Sequence, residues 1–298
     1  MSRKYRLRKG EAVPEGVARI ACGRIDNALD ELRGKTDSTP EEAVHEARKD
    51  MKKLRALLRL VRAELGDKAF RRESTHFRDA GRELSGVRDA DVMLATLGEL
   101  EERYQGELRA KAAGDLRQAL EAHRIRTAAG ARAQASEAAI EMLEGARRRV
   151  AGWPLEHDGF EAVEGGLRRV YRQGRQAWRA AEDDPSVEAL HEWRKRVKDL
   201  WYHCLILRGA WKPVMSALAD EAHELSDRLG DDHDLAVLLA WAEDHGAGSS
   251  ELEAVVAGRR RELQDDAFAY GARLYADKPK VFVGRIGRWW RAGRPTLV

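Results

Sequence analysis

One stretch constrains this chain more than any other, because the chain writes it twice. Residues 44–55 read Val-His-Glu-Ala-Arg-Lys-Asp-Met-Lys-Lys-Leu-Arg, and residues 190–200 read Leu-His-Glu-Trp-Arg-Lys-Arg-Val-Lys-Asp-Leu. The pattern His-Glu-x-Arg-Lys-x-x-Lys-x-Leu matches at every named position, at an offset of 146 residues and without a gap. An approximate repeat set about half the chain apart predicts two similar halves built on one plan.

On a helix at about 100° per residue, His45, Arg48, Lys52, Arg55, Arg59 and Arg62 share an arc of roughly 100°. Ala47, Met51, Leu54, Leu58, Val61 and Leu65 share a second arc beside it. One helix thus carries a cationic stripe about 25 Å long next to an apolar stripe. The apolar stripe must face other helices, since burial of such a face is what stabilises a helix within a protein. No regular i,i+4 acid accompanies the cations. The second copy repeats the apolar stripe as Trp193, Val197, Leu200, Cys204, Leu207 and Trp211. Its cationic stripe is shorter: His191, Arg194, Lys198 and Arg208 remain, while Trp201 and Leu205 stand where Arg55 and Arg59 stood. The first half is therefore expected to bind an anion more strongly.

Composition supports helices throughout. Charged residues make up 35% of 298, and only seven prolines occur. No convincing period-2 alternation is present, so the fold class is all-α. Net charge is only +3, so an anion site must come from local segregation of charge, which the stripe supplies. Cys22 and Cys204 lie far apart in helical apolar patterns and form neither a disulfide framework nor a metal knuckle. No apolar run approaches a membrane span, and the basic N-terminus lacks an apolar segment after its charges. A cytoplasmic protein is expected, with no membrane association.

Along the chain, residues 1–13 read as a basic flexible arm, 14–157 as the first half and 158–298 as the second. A helix opens at Pro14 and runs to Arg33. Thr39-Pro40-Glu41-Glu42 is a start signal for the next: a capping hydroxyl, proline at the first helical position and glutamate three residues after the cap. That signature helix runs to about Leu65 and Gly66 ends it. A third helix, Asp67 to Leu84, carries His76, Arg78 and Arg82. The corner Gly86-Val87-Arg88-Asp89-Ala90-Asp91-Val92 starts a fourth, and Gly230-Asp231-Asp232-His233-Asp234 is its counterpart in the second half. Asp89 and Asp234 are expected to cap helices there and to hold a carboxylate near the basic helices. Two further helices broken near Gly130 precede the boundary at residues 152–159. The second half repeats the order, with helices at 213–229 and from 235 on either side of its corner. A short amphipathic helix at 285–291 closes the chain.

The run from His45 to Arg55, its second copy at His191 and the Gly-x-Arg-Asp-x-Asp-Val corner resemble the conserved-histidine α-helical domain, CHAD, over residues from about 14 to the C-terminus. The resemblance implies two similar antiparallel helical bundles related by a pseudo-twofold axis, with signature helices lining a basic central groove that binds inorganic polyphosphate. It also implies bacterial or archaeal origin, association with polyphosphate granules and with polyphosphate-metabolising enzymes, and no cofactor or metal. The chain is identified as a stand-alone member, without the triphosphate-tunnel domain often fused to the family. The candidate ligands are His45, Arg48, Lys49, Lys52, Lys53, Arg55 and Arg59 of the first copy, Arg78 and Arg82 of the helix after it, and His191, Arg194, Lys195 and Lys198 of the second copy.

The chemistry agrees with the resemblance. A linear polyanion charged at every unit needs a row of fixed cations, and arginine grips phosphate oxygens with a bidentate fork. Binding releases counterions and weakens steeply with salt. His45 and His191 are expected to donate to phosphate when protonated, strengthening binding as pH falls through about 6.5. No motif for hydrolysis is evident, and the protein is expected not to be an enzyme. Two rival readings remain: a nucleic-acid binder, with weak non-specific binding expected in any case, and a metal-dependent phosphohydrolase of the HD type built on His157-Asp158 or His233-Asp234.

Overall fold

The computed structural model describes residues 4–84, 89–104, 110–128 and 132–293. Among these residues all regular structure is helical. Helix α1 (Val13–Leu32) leads to α2 (Pro40–Leu60), the first signature helix, which Thr39 opens as the sequence predicts. The Glu42 amide donates to Thr39 Oγ1 (3.3 Å) and the Thr39 amide to Glu42 Oε2 (2.8 Å), so two amides with no partner inside the helix are satisfied reciprocally. One further turn follows in α3 (Arg62–Glu83) before a break at Gly66, whose φ of 68° is left-handed and suits glycine. Helices α4 (Asp89–Arg103), α5 (Ala110–Ala128) and α6 (Arg132–Arg149) complete the part before residue 150.

A short 3-10 turn at Val150–Gly152 and extended chain to Gly159 lead to α7 (Glu161–Asp183) and the second signature helix, α8 (Val187–Ile206). The sequence places two helices either side of a corner near Gly230. Instead α9 (Lys212–Asp244) runs unbroken, since nothing in Leu229-Gly230-Asp231-Asp232 forbids helical dihedrals. Helices α10 (Ser250–Leu274) and α11 (Pro279–Gly293) follow.

One hydrophobic cluster draws on both sides of the 150–160 connection, joining residues such as Ile25, Leu54 and Leu57 to Leu167, Trp193 and Phe282. A second, smaller cluster unites α4 and α5 (Met93, Leu97, Leu116) with α9 and α10 (Leu238, Val256). The apolar stripe of α2 is buried as expected, and so are Trp193, Val197, Leu200, Cys204 and Leu207. Trp211 is not: α8 ends at Ile206, leaving that tryptophan 49% exposed at the start of α9. The expected loose arm is also corrected. Leu7 is buried and its amide donates to Ile206 O (3.0 Å), Tyr5 Oη donates to Lys53 O (2.7 Å), and Arg19 reaches Arg6 O (2.9 Å). Basic residues thus hide two anchoring apolar ones.

Helix α7 crosses α2 so closely that a Cβ on Gly166 would lie 1.9 Å from Leu60 O, which no side-chain shift relieves. Gly166→Ala should therefore destabilise the fold by about 3 kcal/mol. Gly165→Ala, whose Cβ would meet Ala63 Cβ at 3.4 Å on the exposed side, should be neutral or stabilising by up to about 1 kcal/mol. Thermal melts of both variants check the pair.

Candidate anion-binding site

Helices α2 and α8 pack side by side, with α3 flanking α2 and α9 flanking α8. The tie at their base is a histidine outside the repeated motif. His203 is fully buried on α8, and its ring nitrogen Nε2 lies 2.9 Å from Ala56 O on α2, which fixes that nitrogen as the donor. Above this tie the charged faces open onto a trough of three connected lobes. The first, about 400 Å³, is lined by Lys52, Arg55 and Arg59 of α2 and by His191, Arg194, Lys195, Arg196 and Lys198 of α8, with Asp199 and Tyr202. A second, about 290 Å³, lies between α2 and α3 and is lined by Arg48, Lys52, Arg55, Arg78 and Arg82 beside Phe77. The third, about 470 Å³, is lined by His45, Arg48, Lys49 and Lys52 of α2, by Arg194, Lys198 and Trp201 of α8, and by His223, Asp227, His233 and Asp234 of α9. Lys52 lines all three. Across the lobes eleven lysines and arginines stand against three carboxylates, so the trough is cationic although the chain is nearly neutral.

That crowding leaves electrostatic marks. Burial, with Arg59, Arg78 and Arg196 close by, pulls the Arg55 guanidinium down to about 10. Its Nε is buried with no hydrogen-bond partner among the described residues, as is the Nε of Arg194. Asp199, absent from the candidates read in the sequence, sits between Arg59 (3.2 Å) and Arg196 (3.3 Å); burial raises its carboxyl, and the two arginines oppose the rise. Asp50 is buried on the α1 side of α2, held by Arg24 (3.1 Å) and Asn27 (2.8 Å). The repeat pairs Asp50 and Lys53 on α2 with Arg196 and Asp199 on α8, so the same i,i+3 acid–base pair recurs with its signs exchanged.

Of the candidate ligands, Lys53 alone lines none of the lobes. It pairs with Asp50 at 3.5 Å and faces α1. Acids do accompany part of the stripe: Lys49 pairs with Glu46 and Lys195 with Glu192 (both 2.8 Å), and Arg78 with Asp79 (2.8 Å), while Arg82 lies 3.9 Å from Asp79. Arg48 donates to Leu84 O at 3.0 Å. Arg62 turns away to Asp67 (2.9 Å). Asp234 lies inside α9 and caps no helix, but it lines the third lobe, so a carboxylate does stand beside the basic helices. The Asp89 side chain and residues 85–88 of its corner lie outside the described residues. His157 of the first His-Asp doublet lies in the 153–159 connection, 2.9 Å from Glu64, and His233 of the second stacks on His191 at 4.3 Å.

The expected charge change near pH 6.5 is corrected for His191. Burial, then His233, Lys195 and Arg194, lower it to about 4, so it is neutral in the ligand-free protein at neutral pH. Arg196, Asp199, His203 and His223 escape a motif-based reading, and His233 was read there only as part of a corner and a His-Asp doublet; for Arg196 and Asp199 the signal was their i,i+3 spacing within the repeated stretch.

A family model described as the CHAD domain matches residues 21–243. The chain belongs to the CHAD family. This family is associated with polyphosphate binding in general. The crystal structure of the CHAD domain from the plant Ricinus communis is similar to the chain at 17% identity, covering 94% of each chain with a TM-score of 0.64, which shows a shared fold. No curated protein sequence matches the chain. No helix among the described residues is long and apolar enough to cross a membrane.

In this CHAD chain the tie between signature helices is pH-sensitive. Burial lowers His203 from 6.5 to about 4. As pH falls the unfolded chain takes up that proton first, so the stability His203 contributes is complete above about 6.5 and lost as pH falls through about 4. At about 1.4 kcal/mol per pKa unit this amounts to about 3 kcal/mol. Denaturant melts between pH 7 and 4 should show a steep acid loss in the wild type. His203→Gln, which keeps a donor for Ala56 O but cannot titrate, should show a shallower one.

Proposed function

We propose that the chain binds inorganic polyphosphate along the trough between α2, α3 and α8. The observation that carries this reading is the junction at Lys52: three lobes with an excess of eight cationic side chains meet at one residue of the repeated motif. A row of this kind suits a polymer charged at every unit better than a single small anion, which could engage only a few of its members. The guanidiniums of Arg59 and Arg196 are held by Asp199 before any ligand arrives, which lowers the ordering cost of binding there. The reading takes the protein as a binder rather than an enzyme. It takes the two halves as duplicated bundles, and the site of action as the polyphosphate granule, where polyphosphate-metabolising enzymes would be neighbours. Nucleic acid, which shares the phosphate chemistry, should bind more weakly: its charges are more widely spaced, and no base-reading element accompanies the row.

Salt titration of long-chain polyphosphate binding tests this. The wild type should lose affinity steeply and linearly on a log–log plot. Arg48→Glu with Lys52→Glu, which reverses charge in all three lobes, should lose on the order of 100-fold with helical content unchanged. Arg194→Glu with Lys198→Glu, touching two lobes, should lose less. Equal affinity for polyphosphate and for DNA at physiological salt would overturn the reading.

A further inference from the structure

The third lobe continues the cation row but adds groups that a phosphate chain does not need. Two of its wall residues, Asp227 and Asp234, are carboxylates, which repel phosphate. A third, Trp201, is aromatic, and it stands where the first copy of the motif has Arg55. Its indole lies against the Tyr202 ring (centroids 4.7 Å apart, 22° between planes) and the His223 ring (4.0 Å, 63°), and His223 is held by Asp227 at 2.5 Å. Polyphosphate has no apolar surface to offer such a wall. Arg48 and Lys52 reach the lobe from α2, whereas Arg194 and Lys198 share Trp201's own face of α8. The lobe thus combines π-faces and hydrogen-bond acceptors on α8 and α9 with phosphate-gripping cations on α2. A molecule with a planar nitrogenous ring at one end and a short phosphate chain at the other has the matching polarity. Its ring can pack on the aromatic wall, and its exocyclic amino group can donate to a carboxylate, as base amino groups do to Asp and Glu. The volume of about 470 Å³ falls in the range of small-molecule sites.

We propose that this lobe binds a nucleoside polyphosphate, the base against Trp201 and the carboxylates, the phosphates on the Arg48–Lys52 side. This rests on the reading of the trough as a phosphate site and adds a second ligand class to it. No bond is made or broken.

The test compares ATP with tripolyphosphate on the intact protein, by calorimetry at one salt concentration, with long-chain polyphosphate and a short single-stranded oligonucleotide lacking a terminal triphosphate as further arms. Stacking of a base is worth about 1–3 kcal/mol, so ATP should bind on the order of 10-fold more tightly than tripolyphosphate despite its lower charge. In Trp201→Ala that ratio should fall to within about twofold, tripolyphosphate serving as the internal reference, and Trp201→Phe should keep most of it. Tripolyphosphate binding as tightly as ATP to the wild type overturns this inference. If long-chain polyphosphate still binds, only the base subsite fails; if nothing binds, both readings fail. An oligonucleotide that binds as tightly as ATP, with the same dependence on Trp201, would assign the lobe to nucleic acid and overturn the proposal as well.

Discussion

Two rows of like charge are held side by side in this protein, and the fold is what prevents them from moving apart. Two cations at about 4 Å repel by about 4 kcal/mol at the effective dielectric near a protein surface. Burial, with the neighbouring arginines adding to it, pulls the Arg55 guanidinium down to about 10. The opposing terms lie beneath the charges. The apolar edges of α2 and α8 enter one shared cluster, and His203 bonds across to the α2 backbone. Asp199 sits buried between Arg59 and Arg196 and offsets part of the repulsion there. Apolar burial therefore does electrostatic work: it maintains a concentration of positive charge that an open chain would disperse.

This arrangement explains why the two signature helices share a motif without being equivalent. Helix α2 presents its cations to both sides, towards α3 and towards α8, whereas α8 shares its own with an aromatic wall. The exchange of signs between Asp50–Lys53 and Arg196–Asp199 has the same effect. On α2 the acid faces α1 and the core, leaving the stripe strongly positive; on α8 the acid reaches into the trough and moderates it. The two copies of the motif thus differ in charge, α2 the more positive rail and α8 the moderated one.

Much of this was legible in the sequence because it followed from periodicity. The repeat, the capping box at Thr39, the buried stripe of α2 and the all-helical class depend on local spacing, which a linear chain displays. What stayed hidden depended on tertiary context. Gly230 resembled a helix end, yet α9 continues through it, since a glycine within a helix costs only about 1 kcal/mol and packing overrides that. There the open position lets the Arg194 guanidinium lie against the helix, with Nη2 2.8 Å from where a Cβ would stand. The basic arm looked loose by charge count, but Tyr5 and Leu7 decide its docking. His203 lies outside the motif and belongs to the site only because two helices meet there. The depressed pKa of His191 comes first from burial that no spacing reveals, and then from His233, 42 residues away in sequence.

Helix α9 is 33 residues long, about 50 Å at 1.5 Å per residue. Its first half is bedded in the main cluster through Met215, Ala222 and Leu225, and its second half carries Leu235, Leu238 and Ala242 into the outlying one. Between them His223, Asp227, His233 and Asp234 form the trough's third wall. Because α9 runs unbroken through Gly230, one rod forms the wall of the slot and is gripped at its far end by α4, α5 and α10.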